Sequence, residues 1–374
     1  MSGDFLVLGA GIAGAAAGYF LAEHGRVTVL ERESMPGYHS TGRSAALYTE
    51  TYGNAAIRGL TVASGAFFRA PPAGFAEGPL LRPRGLLMVA PAHDHERFVR
   101  EVADATRFAP RLRVVERREA LTLCPALRKT WLAHAFLEPD AMDMDVNAIH
   151  QGFLRGMRTK GGSVVTNAGA HRIERRDGAW QVDTAAGTFR APVLVNAAGA
   201  WADEVAILAG VPPIGLVPKR RTAIIITAVQ PISPAWPMVG DVAETFYFRP
   251  ESGKLLVSPA DETPLPPQDV QPDEIDIAIA AERIAAATHL DIQRIERKWA
   301  GLRTFAPDKT LVIGPEPTTP EFLWMAGQGG YGIQTSAAAG LALAAFATGR
   351  ALPAAFADLG LRVADLLPDR LRLG

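Results

Sequence analysis

A glycine-rich turn close to the start of the chain constrains the fold more than any other feature. Gly9, Gly11 and Gly14 form this turn, which follows the apolar run Phe5–Leu8 and precedes the alanine-rich residues 12–24. The first glycine of such a turn permits a tight bend, the second lets backbone approach a pyrophosphate, and the third lets helix and strand pack closely. The helix N-terminus favours an anion. The sequence therefore predicts a dinucleotide site.

The residues after the turn complete a predicted βαβ unit. Gly25 is expected to end the helix, and Val27–Leu30 is typical of a second buried strand. Glu31 follows that strand, where an acid accepts hydrogen bonds from ribose hydroxyls. Strand, turn, helix, strand and acid in this order predict a Rossmann-like domain. The fingerprint alone does not distinguish NAD from FAD.

Length and charge limit the class of protein. At 374 residues the chain exceeds the size of one hydrophobic core, so two domains are expected. The net charge of -1 gives no indication of a basic surface for nucleic acid. We therefore expect the ligand to be a small molecule bound by local contacts. We expect no integral membrane segment, because the alanine-rich residues 337–347 are too few to cross a bilayer.

Cysteine and metal-ligand patterns exclude several kinds of site. Cys124 is the only cysteine, which excludes intrachain disulfides and multi-cysteine metal sites. The two histidines beside Asp94 are expected in an exposed turn, and the acids at 140, 143 and 145 lack the glycine and glutamate of a calcium loop. We therefore predict no metal. A reducing cytoplasmic location is expected, with peripheral association at the inner membrane face left open.

The strand-and-glycine-turn pattern recurs later in the chain. Val193–Asn196 leads into residues 197–201, and the apolar residues 322–326 lead into a glycine turn and a helix from about Gln334. Residues 80–90, 221–228, 245–248 and 254–258 are β-like, with turn signals between them. We expect an α/β (α+β two-domain) fold. Its discontinuous nucleotide-binding domain would comprise residues 1–80, 140–213 and 302–374, and its antiparallel-sheet substrate domain residues 81–139 and 214–301.

Six blocks spread over nearly the whole chain are similar to one family of flavoproteins. They are GAGIAGA at 9–15, GYHSTGRSAA at 37–46, LVNAAGAW at 194–201, PKRR at 218–221, WAGLR at 299–303 and QGGYGIQTSAA at 328–338. The chain resembles the D-amino-acid oxidase-like flavoproteins, which include glycine oxidase, sarcosine oxidase and the D-amino acid dehydrogenases, with bacterial D-arginine dehydrogenase most similar. The resemblance implies a Rossmann-like FAD-binding domain of the glutathione-reductase type.

The same resemblance implies FAD bound without a covalent bond, because Cys124 lies outside the matched flavin blocks. A helix N-terminus in the last block would stabilise negative charge at the flavin pyrimidine edge. The cofactor-binding residues implied by the fingerprint and the resemblance are Gly9, Gly11, Ile12, Ala13, Gly14, Glu31, Arg32, Ser40, Thr41, Arg43, Ser44, Ala45, Ala46, Ala170, Ala198, Gly199, Trp201, Arg303, Gly329, Gly330, Tyr331, Gly332, Ile333, Gln334 and Thr335.

The resemblance also implies a substrate site. Arg221 and Arg303 would bind a carboxylate through their planar forks, and Tyr247 would add a hydroxyl contact. The substrate pocket would be lined by Leu47, Tyr52, Leu87, Met238 and Gly330. The related dehydrogenase has a histidine where this chain has Leu47 and an acid near Leu87. Without that acid a buried cationic substrate is unfavourable, so an apolar or aromatic side chain is expected.

The implied reaction is oxidative deamination of a D-amino acid, with hydride passing from Cα to flavin N5 and the imino acid hydrolysing to a 2-oxo acid. The electron acceptor, a quinone, a dye or O₂, stays undetermined. An enzyme acting on 2-hydroxy acids or N-methyl amino acids would use the same carboxylate site. A flavin-binding subunit of an electron-transfer complex is a more distant alternative.

Overall fold

The computed structural model describes residues 3–372. The strands, in chain order, are β1 Phe5–Leu8, β2 Val27–Leu30, β3 Leu47–Tyr48, β4 Leu81–Pro83, β5 Leu86–Ala90, β6 Arg113–Val115, β7 His134–Glu138, β8 Met142–Met144, β9 Ser163–Val165, β10 Ala170–Arg176, β11 Ala179–Thr184, β12 Gly187–Ala191, β13 Val193–Asn196, β14 Val217–Ala228, β15 Met238–Asp241, β16 Tyr247–Glu251, β17 Lys254–Ser258, β18 Ile292–Phe305, β19 Val312–Glu316 and β20 Thr319–Ala326.

The α-helices, numbered in the same way, are α1 Ile12–Leu21, α2 Ala55–Arg69, α3 His95–Ala105, α4 Arg117–Leu123, α5 Val146–Thr159, α6 Ala202–Leu208, α7 Glu274–Ala287, α8 Gly332–Ala347 and α9 Ala354–Asp358. Short 3₁₀ helices lie at Ala92–Asp94, Gly199–Trp201, Val363–Asp365 and Pro368–Leu371.

A six-stranded sheet forms the Rossmann-like part of the molecule, with strand order β19-β20-β13-β1-β2-β9. Strand β1 runs parallel to both β2 and β13, and β13 runs parallel to β20. The apolar strand residues are buried because helices cover one face and the β10-β11-β12 sheet packs against the other. The three strands predicted to precede glycine turns therefore end at one edge of one sheet.

Helices α1 and α8 cross closely on this sheet. A methyl group added to Gly340 of α8 would lie 2.9 Å from the carbonyl oxygen of Ala16 and 2.7 Å from the Phe20 ring, so the crossing requires glycine. Two predicted boundaries were inexact. Helix α1 ends at Leu21, earlier than Gly25, and α8 begins at Gly332, earlier than Gln334.

An eight-stranded sheet forms the second layer, in the order β18-β14-β17-β16-β15-β5-β7-β6. The predicted antiparallel arrangement was correct for most neighbours, but β15 and β5 run parallel, so the sheet is mixed. One face packs against α7 through Ile277, Ala280 and Ile284 and forms a separate apolar core. The other face lines the cavity described below. The predicted domain limits stay a prediction.

Within residues 3–372, none of the helices combines the length and apolar character needed to cross a membrane. Nor does this range contain a group of three or more His, Cys, Asp or Glu side chains arranged to hold a metal ion.

Candidate functional site

The glycine turn borders the first of three adjoining cavities, with a volume of about 510 Å³. Gly9 has φ +100°, and a methyl group there would lie 2.6 Å from the Ala197 carbonyl oxygen. A methyl group on Gly14 would lie 1.8 Å from the Gly9 carbonyl oxygen, so both glycines are required for close approach of strand and helix. Gly11 lines the cavity, as the fingerprint requires of the residue that faces a pyrophosphate.

Glu31 lies in the wall of this first cavity and is 7% exposed. Its carboxylate accepts the Ala10 N–H at 2.7 Å and the Glu33 N–H at 2.9 Å. Each carboxylate oxygen has a second lone pair, so ribose hydroxyls can still donate to it. A buried acid fixed at the end of β2 fits the ribose-binding role of the fingerprint.

An aromatic and cationic group forms the other end of the first cavity. The Arg32 guanidinium lies 4.6 Å from the centre of the Trp201 ring, and the His39 ring lies 4.7 Å from the same ring. Planar side chains of this kind can stack on the planar base of a nucleotide. Sequence reasoning missed His39 as a separate lining residue, although it lies inside the matched block 37–46.

A second cavity of about 100 Å³ shares Ser40 and Thr41 with the first and extends towards the N-terminus of α8. Its walls bring together segments far apart in sequence, including the middle of β14 and the last residues of β18. The Thr41 hydroxyl accepts the Ile12 N–H at 2.9 Å, which satisfies one free donor at the start of α1. The two cavities form one elongated space that fits an extended dinucleotide.

Most predicted cofactor residues line these cavities or the third one below. Those on the first are Gly9, Gly11, Glu31, Arg32, Ser40, Thr41, Ala170, Ala198, Gly199 and Trp201; those on the second are Ile12, Ser40, Thr41, Arg43, Ser44, Ala45, Arg303, Gly329, Gly330, Gly332 and Ile333; Ala46, Tyr331 and Gln334 are on the third.

Three of the predicted cofactor residues lie behind the cavity walls. Ala13 and Gly14 are buried within α1, and Thr335 donates its hydroxyl to the Tyr331 carbonyl at 3.0 Å. Side chains leave a helix on all sides, so only some residues of its first turn face the cavity. The other residues of that turn pack in the core and support the site without reaching it. Arg43 lines the second cavity, and its guanidinium also donates to the carbonyls of Ala300 in β18 and of Val270 in the segment before α7, both at 3.1 Å. These bonds fasten the 37–46 loop to both segments.

The third cavity has a volume of about 370 Å³ and lies on the open face of the eight-stranded sheet. Arg221, Arg303 and Tyr247 all line both this cavity and the second one. Strand pairing explains why the arginines meet: Arg221 pairs with Gly301 and Lys219 pairs with Arg303. The two arginines therefore lie diagonally on one face.

Arg303 has the more open guanidinium. Among the described residues its side chain makes one hydrogen bond, from Nη1 to the Tyr52 hydroxyl at 3.0 Å. Gly330 makes room for it, because a methyl group there would lie 2.8 Å from Nη1. Burial opposes the charge, but Tyr52, Tyr247 and Tyr331 around it raise the pKa of Arg303 above its usual value. The group is a permanent cation, and most of its donors have no hydrogen-bond partner among the described residues.

Arg221 is more occupied, because its Nε donates to the Asp261 carbonyl at 2.8 Å and its Nη2 donates to Glu262 at 3.3 Å. Tyr247 lies beside both arginines. Burial acts to raise the pKa of Tyr247, but the positive charges of Arg303 and Arg221 outweigh burial and lower it below the ordinary 10.0. Two cations and a phenol at one point form an anion site, and its geometry suits a carboxylate.

Four of the five predicted pocket residues line the third cavity: Leu47, Tyr52, Met238 and Gly330. The structure places Leu87 elsewhere, which corrects that prediction. Leu87 is 0% exposed and packs in the core beneath the sheet, beside Val239 of β15. Side chains alternate along a strand, so its neighbours Leu86 and Met88 line the cavity instead.

Sequence reasoning missed several charged residues of the third cavity, among them Arg58, Glu101, Glu244 and Glu262. Arg58 is 8% exposed, and its nearest acid, Glu101, is 3.9 Å away. Burial lowers the pKa of Arg58, while Glu101 acts in the opposite direction. These residues come from helices and turns outside the matched blocks, so no motif in the sequence identifies them.

The Rossmann-like sheet, the elongated space along its glycine turn and the adjoining anion site define a class: a dinucleotide-binding protein with a second cavity beside the dinucleotide space. The sequence model of one family, described as FAD dependent oxidoreductase (DAO), matches residues 4–346. The chain therefore belongs to this family of FAD dependent oxidoreductases, and its cofactor is FAD.

Two relatives in sequence show how the chain compares with characterised proteins. Mouse mitochondrial dimethylglycine dehydrogenase is 24% identical over 361 residues, which cover 88% of this chain and 40% of that protein. The chain thus spans less than half of that relative. Glycine oxidase of Geobacillus kaustophilus is 23% identical over 363 residues, covering 91% of this chain and 92% of that one.

Two solved structures share the fold. The crystal structure of G. kaustophilus glycine oxidase superimposes with a TM-score of 0.82 at 21% identity, covering 94% of this chain and 95% of that one. L-proline dehydrogenase from P. horikoshii gives a TM-score of 0.82 at 21% identity, covering 96% of this chain and 99% of that one.

Proposed function

We propose that the protein oxidises an amino acid at its Cα, giving an imino acid that hydrolyses to a 2-oxo acid. We propose further that it prefers D-amino acids with an apolar or aromatic side chain. The observation that carries the proposal is the open guanidinium of Arg303, which lies beside Tyr247 where the second and third cavities meet. The names of the two sequence relatives, a glycine oxidase and a dimethylglycine dehydrogenase, support a substrate with an amine and a carboxylate.

The roles of the residues follow from their chemistry. Arg303 presents two parallel donors to the substrate carboxylate, Arg221 adds positive charge, and Tyr247 donates a hydroxyl. A carboxylate fixed at this point orients the Cα–H bond, and orientation of this kind supplies a large part of catalysis. FAD bound in the elongated space supplies the hydride acceptor. The N-terminus of α8 favours negative charge beside residues 329–335.

Proton removal from the substrate amine is assigned to water. Among the described residues, no histidine lines the second or the third cavity. Among the acids that line the third cavity, Glu244 is exposed and Glu101 is half-exposed, while Glu262 is paired with Arg221 and Lys219. The arginines bind the carboxylate but do not remove the proton from the amine. We therefore expect the kinetics to depend on pH through ionisation of the substrate amine.

The substrate side chain is proposed from the cavity wall. The residues Leu47, Leu86, Met88, Phe136 and Met238 give it an apolar surface, which favours an apolar or aromatic side chain. The argument from Leu87 no longer applies, because Leu87 is outside the cavity. Glu101 and Glu244 line the same cavity, so basic amino acids belong in any substrate test.

A second candidate function is oxidation of an N-methyl amino acid. The carboxylate site would bind such a substrate equally well, and a dimethylglycine dehydrogenase is among the relatives. Leu47 stands where a D-amino acid dehydrogenase has histidine, which removes one polar contact expected for a primary amine. A 2-hydroxy acid would satisfy the same carboxylate contacts and stays a third possibility for the screen.

An anaerobic substrate screen tests the proposal. The holoenzyme is mixed with D-amino, L-amino, N-methyl and 2-hydroxy acids, and the flavin absorbance is followed. We expect bleaching by apolar or aromatic D-amino acids ahead of the other classes. Bleaching by N-methyl acids alone would establish the second candidate, and bleaching by no acid in the set would contradict both. Readmitting air then shows whether O₂ accepts the electrons.

A further inference from the structure

Glu138 is a buried carboxylate at the end of β7, on the cavity face of the eight-stranded sheet. It is 1% exposed and pairs across the strands with Leu86, which lines the third cavity. Among the described residues, no cation lies within ion-pair distance of it. An ionised carboxylate in such a position needs hydrogen-bond donors to compensate for its lost hydration.

Within residues 3–372, the donors to the Glu138 carboxylate all come from one short segment. The hydroxyls of Thr49 and Thr51 donate to Oε2, both at 2.7 Å, and the Glu50 N–H donates to Oε1, also at 2.7 Å. Burial raises the pKa of the Glu138 carboxyl, and the hydrogen bonds from Thr49, Thr51 and Glu50 act in the opposite direction by stabilising its ionised form. The carboxylate therefore fixes residues 49–51 to the sheet.

The fixed segment leads directly to the carboxylate-binding arginine. Tyr52 is the next residue, and its hydroxyl accepts the hydrogen bond from Arg303 Nη1 at 3.0 Å. The Tyr52 ring also lies 4.8 Å from the Tyr331 ring at the start of α8. A displacement of residues 49–51 would move the only described hydrogen-bond partner of the Arg303 side chain.

The same segment has a second anchor on the cofactor side. The side-chain oxygen of Gln334 accepts the Thr49 N–H at 3.4 Å, and its nitrogen donates to the Thr61 hydroxyl at 2.9 Å. Gln334 belongs to the first turn of α8. Residues 49–51 are thus held between the substrate-side sheet through Glu138 and the cofactor-side helix through Gln334.

We propose that Glu138 is a positioning residue: by fixing residues 49–51 it holds the Tyr52 hydroxyl against Arg303 and so orients the guanidinium that binds the substrate carboxylate. This inference rests on the proposed function, because it assigns the carboxylate to Arg303. A purely structural carboxylate would affect the stability of the protein and leave the affinity for carboxylates unchanged.

The test uses holoenzyme and a non-reactive carboxylate, benzoate, whose binding is followed through the flavin absorbance spectrum. Glu138→Gln keeps the shape and one acceptor oxygen but loses the charge. Thr51→Val removes a single donor and is the milder variant. The control is Glu316→Gln, which removes a carboxylate that is also fully buried but is paired with Arg372 and Trp324 away from the cavities.

We expect Glu138→Gln to raise the Kd for benzoate and the substrate KM about tenfold, the range for a hydrogen bond to a charged group. Thr51→Val is expected to raise the benzoate Kd and the substrate KM by a smaller factor. Glu316→Gln is expected to lower Tm and to leave Kd unchanged. Because Glu138 acts through Tyr52, adding Glu138→Gln to Tyr52→Phe should raise Kd little beyond Tyr52→Phe alone.

Three outcomes separate the claims. If Arg303→Gln abolishes benzoate binding while Glu138→Gln and Thr51→Val leave Kd unchanged, the positioning role is wrong and the proposed function stands. Additive effects of Glu138→Gln and Tyr52→Phe would also overturn the positioning role. If Arg303→Gln itself leaves Kd unchanged, the carboxylate assignment fails, and the inference fails with it.

Discussion

Gly330 occupies a position where a single methyl group would disturb the anion site. The added carbon would lie 2.8 Å from Arg303 Nη1 and 3.0 Å from the Tyr52 hydroxyl, inside van der Waals contact. Arg303 is the group that we assign to carboxylate binding, and Tyr52 is its hydrogen-bond partner. The glycine is therefore explained by the space that Arg303 needs.

Gly330→Ala tests this explanation. We expect the substrate KM to rise at least about tenfold, the result of displacing one charge-assisted hydrogen bond, while Tm stays close to that of the parent. The control is Gly78→Ala, because a methyl group at Gly78 meets nothing within 4 Å. Equal KM values for the two variants would refute the assignment.

Tyr247 gives the site a predictable dependence on pH. The charges of Arg303 and Arg221 outweigh burial and lower its pKa below 10.0, so the phenol loses its proton at lower pH than an ordinary tyrosine. The phenolate would repel a carboxylate. We therefore expect kcat/KM to fall as the pH rises through this pKa.

The matched variant is Tyr247→Phe, which has no proton to lose. We expect a lower kcat/KM at neutral pH, because the hydroxyl contact is gone, and an alkaline limb shifted upward or absent. The measurement is kcat/KM against pH for both proteins, since this ratio reports ionisations of the free enzyme and free substrate. Identical alkaline limbs would show that another group titrates.

At the scale of secondary structure, the sequence predicted where the strands lie better than it predicted which face of a strand is buried. Strand β5 reads Leu-Leu-Met-Val-Ala and is apolar at every position, so the alternation that normally separates a buried face from an open one was missing. The family resemblance assigned Leu87 to the cavity, and no alternation along the strand opposed that assignment. In the structure Leu86 and Met88 line the cavity instead. Only the pairing of β5 with β15 and β7 settles the face.

Helices α1 and α8 provide a prediction at this scale. Gly340→Ala would gain about 1 kcal/mol of helix propensity, but overpacking typically costs about 1–3 kcal/mol. The methyl group would meet the Ala16 carbonyl at 2.9 Å, which is backbone and cannot rotate away. We expect overpacking to win, so Tm falls and FAD is retained less tightly.

Thermal unfolding and the flavin content of purified protein measure this effect. Leu341→Ala is the control on the same helix, because Leu341 is 38% exposed and does not face α1. A Tm for Gly340→Ala equal to or above that of the parent would mean that the helices have room to separate.

At the scale of the whole molecule, the chain order explains what could be predicted. The cofactor space is lined by the turns after β1, β13 and β20. The matched blocks identified these turns because the residues of each turn are adjacent in the sequence. The charged residues Arg58 and Glu101 line the third cavity, and Glu138 is buried behind its wall. All three lie between the matched blocks and come together only through the packing of α2, α3 and β7. Such long-range contacts leave no local pattern in a single sequence.

The position of Cys124 predicts how FAD is held. Its side chain is 0% exposed within the core beneath the eight-stranded sheet, and burial raises the pKa of its thiol to about 12. A thiol in that state does not attack a flavin. We expect acid precipitation of the protein to release all the flavin into solution. We also expect the native Cys124→Ser variant to bind FAD as the parent does. Yellow colour that stays with the washed precipitate would contradict non-covalent binding.

The most direct test of the central claim is anaerobic stopped-flow reduction of the flavin by an amino acid carrying either hydrogen or deuterium at Cα. We expect reduction without any partner protein, a smaller rate constant for the deuterated substrate, and loss of saturation with substrate in Arg303→Gln. A flavin that no amino acid reduces, or that is reduced equally fast by both isotopic forms with Arg303→Gln unaffected, would contradict hydride transfer from a carboxylate-anchored Cα.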